Sequence, residues 1–151
     1  MNSRSMSMTL NYVLVLSISA VLITGIIIAG GTFVENQREQ VIEGELRIIG
    51  NHLAGNLEQV DRYVRAGSGT TSDAYINQTF GTDATGSTYG VQLDERSETT
   101  QVVLNSTSPD VSVRVNASVQ TDVNIADSYA DGGTISVAYD EGSDELVIQN
   151  A

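Results

Sequence analysis

The sequence predicts an α+β protein in which a long N-terminal transmembrane helix continues as an amphipathic helix packed on a small antiparallel β-sheet. Three observations predict it. Ser5 to Val34 contains no charged residue, Ile42 to Val64 carries an apolar stripe at helical spacing, and Val111 to Val119 alternates with a period of two.

The apolar run comes first. Leu10 to Leu16 leads into Ile18, Val21-Leu22-Ile23 and Ile26-Ile27-Ile28. A hydrocarbon core about 30 Å thick needs about 20 apolar residues in a helix, and this run supplies them. The run is longer than the apolar core of a removable secretory signal, about 7–15 residues, so a retained anchor over residues 6–34 is expected. Arg4 and the amino terminus precede the span, whereas Glu35, Arg38, Glu39, Glu43 and Glu45 follow it. The positive-inside rule then predicts a single-pass protein with a cytoplasmic N-terminus and an extracellular C-terminal domain.

The second helical segment covers residues 35–66. Ile42, Leu46, Ile49, Leu53, Leu57, Val60 and Val64 fall on one face, and Glu43, Glu45, Asn51, Asn56, Glu58, Asp61 and Arg62 fall on the opposite faces. Glu43–Arg47, Glu58–Arg62 and Asp61–Arg65 have the favourable i,i+4 order. Continuous from Asn11 to Arg65, the helix would be about 80 Å long. Gly25, Gly30 and Gly31 are the places where it could bend, and Ala66-Gly67-Ser68-Gly69 is its terminator.

Residues 67–89 are rich in Gly, Ser, Thr and Asp and read as a flexible linker. Residues 90–151 read as a sheet of four or five strands. Val111, Val113, Val115, Ala117 and Val119 face one side, and Ser112, Arg114, Asn116 and Ser118 the other. Gln101–Leu104 precedes that strand across a turn region, Asn105–Asp110. Thr134–Tyr139 and Glu145–Ile148 flank a Gly-containing turn and read as a hairpin; Tyr89–Leu93 and Val123–Ile125 are weaker strands. Such a sheet needs cover on its apolar face. The stripe from Ile42 to Val64 is the cover available, so helix 35–66 and the sheet are expected to form one exterior domain.

Composition narrows the function classes. All seven basic residues are Arg, against 19 Asp plus Glu, for a net charge of −12 in 151 residues. That acidic, Lys-free balance suits a surface hydrated at high salt and predicts a halophilic protein. It opposes nucleic-acid binding, because phosphate repels it. Without Cys there is no disulfide, thiol nucleophile or Cys-ligated zinc, and one His makes no multi-His metal site. His52 reads as a helix-boundary residue, and Asp140–Glu145 as a solvated hairpin tip without EF-hand spacing. Asp94-Glu95 and Glu98 read as a hydrated loop. No nucleophile-elbow or phosphate-loop motif occurs. No catalytic, cofactor-binding or metal-ligating residue is assigned, and no enzyme activity or small-molecule substrate is expected.

Arg4-Ser5-Met6-Ser7-Met8-Thr9-Leu10, followed by the apolar run and then a sheet, resembles haloarchaeal type IV pilin-like proteins. The resemblance implies a leader over residues 1–5, cut between Ser5 and Met6 by a prepilin peptidase. It also implies a helix that packs with other pilin-like subunits or with its own copies, and a sheet facing outward. Ser5 stands where Gly or Ala is more usual, and Leu10 where bacterial pilins carry Glu.

Two further groups are site candidates. Ser17, Ala20, Thr24 and Gly31 fall near one helical face and would allow close helix packing in a bilayer or filament core. Asn77, Asn105 and Asn116 each open an Asn-X-Ser/Thr acceptor sequence for N-glycosylation, Asn105 in the expected turn and Asn116 within a strand. The function expected is a membrane-anchored, pilin-like structural subunit of the archaeal cell surface. The alternative is a monomeric single-span binding module with an uncut anchor. Membrane lipid is a partner in both.

One prediction follows from charge alone. In the detergent-solubilised chain, circular dichroism of the part from Glu35 onward should show unfolding when salt is removed, because unscreened carboxylates repel one another.

Overall fold

In the computed structural model, residues 3–67, 74–96, 99–119 and 124–151 are described. The protein is α+β: one long N-terminal helix and curled, mainly antiparallel sheets. It divides into two compact units, Met1–Gln37 and Arg38–Ala151.

Helix α1 runs Ser3–Ala66 and is helical through Gly30 and Gly31. It takes in the backbone of the expected leader from Ser3 onward. It ends where Gly67 N–H donates to the Tyr63 carbonyl at 3.0 Å. Ser68, Gly69, Glu98 and Val123 lie outside the described residues.

In the second unit the stripe is the buried face. Ile42, Leu46, Leu57 and Val60 have no exposed surface, and Leu53 and Val64 almost none. They form one core with Val91, Leu93, Val102, Leu104, Val113, Ile135, Val137, Leu146 and Ile148 from the strands. Burying a Leu or Val of this kind is worth roughly 1.5–3 kcal/mol. Two polar contacts pin the helix to the sheets: Thr85 Oγ1 donates to Glu45 Oε2 at 2.9 Å, and Ser118 N–H donates to Glu58 Oε1 at 2.9 Å. Of the expected i,i+4 pairs, Arg47–Glu43 closes at 2.7 Å and Arg65–Asp61 at 2.9 Å, while Glu58 reaches across to Ser118.

The strands are β1 (Tyr75–Thr79), β2 (Asp83–Ala84), β3 (Ser87–Arg96), β4 (Thr99–Thr107) and β5 (Asp110–Ala117), then β6 (Asn124–Ile125), β7 (Tyr129–Asp131), β8 (Thr134–Asp140) and β9 (Glu145–Asn150). They build two sheets where the sequence predicts one. The first is ordered β1-β8-β9-β6; the second is β2-β3-β4-β5, with β7 also paired to β3. Pairing is antiparallel except for the short β6–β9 contact. The expected hairpin is β8–β9, and the alternating strand is β5, which ends at Ala117 and leaves Val119 outside it.

Residues 67–89 are the main correction. From Tyr75 onward this stretch is not a linker but supplies β1, β2 and the start of β3. Its polarity has a structural reason. β1 is an edge strand with Tyr75, Asn77 and Thr79 exposed, so half its residues can be hydrophilic while its backbone pairs with β8. β2 and β3 join through Thr85-Gly86, both at positive φ. That is a two-residue hairpin turn, but with Thr in place of the usual Asn or Asp its sequence signal is weak. The second correction is the turn at Asn105–Asp110. β4 and β5 pair as far as Thr107–Asp110, so the turn shrinks to Ser108-Pro109 and Asn105 lies within a strand.

Glycine substitutions in α1 test this packing. A Cβ at Gly50 would lie 2.7 Å from Val115 Cγ2 and 2.8 Å from Leu104 Cδ1, whereas Gly44 and Gly55 face open space. Gly44→Ala and Gly55→Ala should each raise stability by about 0.5–1 kcal/mol through helix propensity. Gly50→Ala should gain nothing or lose stability, and Leu57→Ala should cost roughly 2–5 kcal/mol. Thermal unfolding in salt reads all four.

Candidate functional site

Two surfaces carry the predicted site residues: the apolar segment of α1 and the outward faces of the strands. On the first, every large apolar side chain from Leu10 to Ile28 leaves more than half its surface open. The hydroxyls among them are satisfied within the helix. Ser17 Oγ donates to the Val13 carbonyl at 2.8 Å, Ser19 Oγ to Val15 at 2.9 Å, Thr24 Oγ1 to Ala20 at 2.8 Å and Thr32 Oγ1 to Ile28 at 3.2 Å. Such i−4 bonds remove the cost of placing a hydroxyl in an apolar surrounding. Ser17, Ala20, Thr24 and Gly31 are exposed, and a Cβ on Gly25, Gly30 or Gly31 would meet no neighbour. The helix is long and apolar enough to cross a membrane. Ser5 and Met6 lie in its first turns as backbone; their side chains fall outside the described residues.

The three acceptor asparagines lie on strands. Asn77 is on edge strand β1, Asn105 on β4 and Asn116 on β5. In a strand the residue two positions on shares the face, so Asn77 and Thr79, and Asn105 and Thr107, point the same way, while Ser118 follows the end of β5. All six side chains (Asn77 and Thr79, Asn105 and Thr107, Asn116 and Ser118) are exposed. Asn116 Oδ1 accepts a hydrogen bond from Gln101 Nε2 at 3.0 Å. Asn77 borders a trough of about 420 Å³ on the outer face of the first sheet, with Tyr75, Ser136, Ala138 and Gln149.

The acidic tip uses its carboxylates to close the β8–β9 turn. Asp140 Oδ1 accepts from Gly142 N–H at 2.9 Å, and Tyr139 O–H donates to Asp144 Oδ1 at 2.7 Å. Asp144 adopts φ of 57°, a conformation Asp tolerates better than most residues. His52 sits edge-on to Phe80, with ring centroids 6.4 Å apart.

Sequence reasoning missed the tyrosines. Tyr89 is buried, and its O–H donates to the Gly81 carbonyl at 2.9 Å. Burial pushes its pKa above 10.0, and Glu45 and Asp83 add to that, while a backbone hydrogen bond at Gly133 pulls the other way. Tyr129 and Tyr139 are raised mainly by donating to Asp131 and Asp144. Isolated tyrosines in polar segments give no periodic signal, so only cross-strand neighbours reveal these bonds.

The class of protein is therefore a small α+β domain whose chain begins with an apolar helix able to cross a bilayer. The chain belongs to the Family of unknown function (DUF7266), whose sequence profile matches residues 1–150. No curated protein and no solved structure matches it.

The buried tyrosine has a pH consequence. Below pH about 10 the hydroxyl is protonated in both folded and unfolded chains, and its contribution is intact. Above that pH the unfolded chain ionises first, so stability falls as pH rises toward the folded-state pKa. The unfolding midpoint should drop in this alkaline window, and Tyr89→Phe should flatten the drop.

Proposed function

We propose that the protein is a membrane-anchored, pilin-like structural subunit of the archaeal cell surface that assembles through its N-terminal helix. The observation that carries this reading is the charge-free run from Ser5 to Val34, whose large apolar side chains are exposed from Met8 to Val34. An apolar surface of that extent needs either lipid or other helices. The self-bonded hydroxyls of Ser17, Ser19, Thr24 and Thr32 suit both surroundings. Small residues at Ser17, Ala20, Thr24 and Gly31 suit close approach of a second helix. Arg4 before the span and the acidic domain after it favour an N-in, C-out orientation. The Lys-free, −12 composition favours a halophile's cell surface, with the acidic domain in brine.

One observation favours the second reading, a monomeric anchored binding module. Ser5 and Met6 are helical in backbone from Ser3 onward, whereas a peptidase needs an accessible bond. The amino-terminal sequence of the protein from native membranes separates the two. Terminal-peptide mass spectrometry should find a chain starting at Met6; a chain that keeps Arg4 would replace assembly by permanent anchoring.

A further inference from the structure

The outer face of the second sheet presents a row of residues that the strand register brings together. The pairing of β7, β3, β4 and β5 aligns Tyr129, Gln92, Val103 and Arg114 in one row across four strands. Neighbouring strands lie about 4.8 Å apart, so the row spans roughly 14 Å. Val103 points away from the core yet is 7% exposed. Its neighbours in the row are Gln92 and Arg114, whose stems are placed to shield it.

Tyr129 is the distinctive member. A Cβ on Gly90 would strike the Tyr129 hydroxyl and come within 2.6 Å of two ring carbons. The ring therefore rests on bare backbone that only glycine provides. Its O–H donates to Asp131 Oδ1 at 2.8 Å. Asp131 is held in turn by Asn150, which accepts from its N–H at 3.0 Å and donates to its carbonyl at 2.9 Å. With one face seated and its hydroxyl tied, Tyr129 is still 60% exposed. An aromatic ring has been fixed in place with its other side open to solvent.

The flanks of the row are amides. Asn105 is exposed on one side, and the bonded pair Gln101–Asn116 lies on the other. Among the described residues of these strands, the outward carboxylates sit at the rim: Asp131 bound to Tyr129, Asp94 at one end and Asp110 at another. A chain of net charge −12 thus keeps the centre of this face to amides and one guanidinium.

The chemistry of such a face is specific. Each amide offers both donor and acceptor, as a sugar hydroxyl does, whereas a carboxylate only accepts. A fixed aromatic ring offers an apolar plane for the C–H face of a sugar at little entropic cost. With Val103 shielded, the centre of the row offers no apolar anchor to a folded protein partner.

We propose that this face binds a neutral carbohydrate chain laid along the Tyr129–Arg114 row, with one sugar ring stacked on Tyr129 and the hydroxyls of that ring and of the next bonded by Gln92 and by Arg114 respectively. The reading does not depend on whether the leader is cut or filaments form.

The test uses the full chain in detergent at molar salt, where long-range repulsion is screened, against immobilised maltohexaose, cellohexaose and mannohexaose in biolayer interferometry. The wild-type chain should bind at least one of them. Tyr129→Ala should weaken that binding by about tenfold, and Arg114→Gln by a smaller factor. Tyr129→Phe, which keeps the ring, should retain most of it, and Tyr75→Ala on the other sheet should change nothing. Should Tyr129→Ala fail to fold, Gln92→Ala with Arg114→Ala replaces it, with the same expected loss. Absence of binding to all three probes, or equal loss from Tyr75→Ala, overturns the proposal. Intact mass of the native chain is measured alongside: sugar already attached at Asn105 or Asn116 would mean that a covalent glycan fills the face, which also overturns capture of a free chain.

Discussion

The fold of the second unit depends on one interaction, the burial of a single helical stripe between strands that cannot cover themselves. Ile42, Leu46, Leu53, Leu57, Val60 and Val64 recur every three or four residues and fill the same core as Val91, Leu104, Val137 and Leu146. Among the described residues, this stripe is the helical face that shares the core of the two sheets. Gly50 shows how close the contact is, since its missing side chain is the space that Val115 and Leu104 occupy. Glu45 and Glu58 then secure the same helix by hydrogen bonds to the β2–β3 turn and to Ser118.

The two ends of α1 obey opposite rules because their surroundings differ. From Arg38 onward most of the large apolar residues are buried on one face, while Val41, Ile48 and Tyr63 lie exposed among the polar and charged side chains outside it. Before Val34 the helix is apolar on all sides, and its hydroxyls bond back to the preceding turn. A helix of the second kind cannot be stable alone in water with so much apolar surface open. This segment is long and apolar enough to cross a membrane, and that is what supports the proposed function.

The strand faces show how the charge is distributed. Carboxylates gather at turns, as at Asp140 and Asp144, where they bond the backbone or a tyrosine. The centre of the second sheet's outer face is left to Gln92, Gln101, Asn105, Arg114 and Asn116. The same strand geometry presents Asn77 and Asn105 beside their hydroxyl partners.

How much was legible in advance followed the range of the interactions involved. The sequence by itself determined the apolar run, the helical stripe, the β8–β9 hairpin and the alternation of β5, because each is a periodicity within a short window. It also determined the charge and the thiol chemistries that the absence of Cys rules out. Only the tertiary structure decided that Tyr75–Thr79 is a strand rather than a linker, since a polar edge strand is held by backbone bonds to β8, 55 or more residues away in the chain. The same holds for the turn at Ser108-Pro109, for the division into two sheets and for the row from Tyr129 to Arg114. Cross-strand register joins residues with no local pattern between them, so a seat for Tyr129 on Gly90 exists only once β7 and β3 have met.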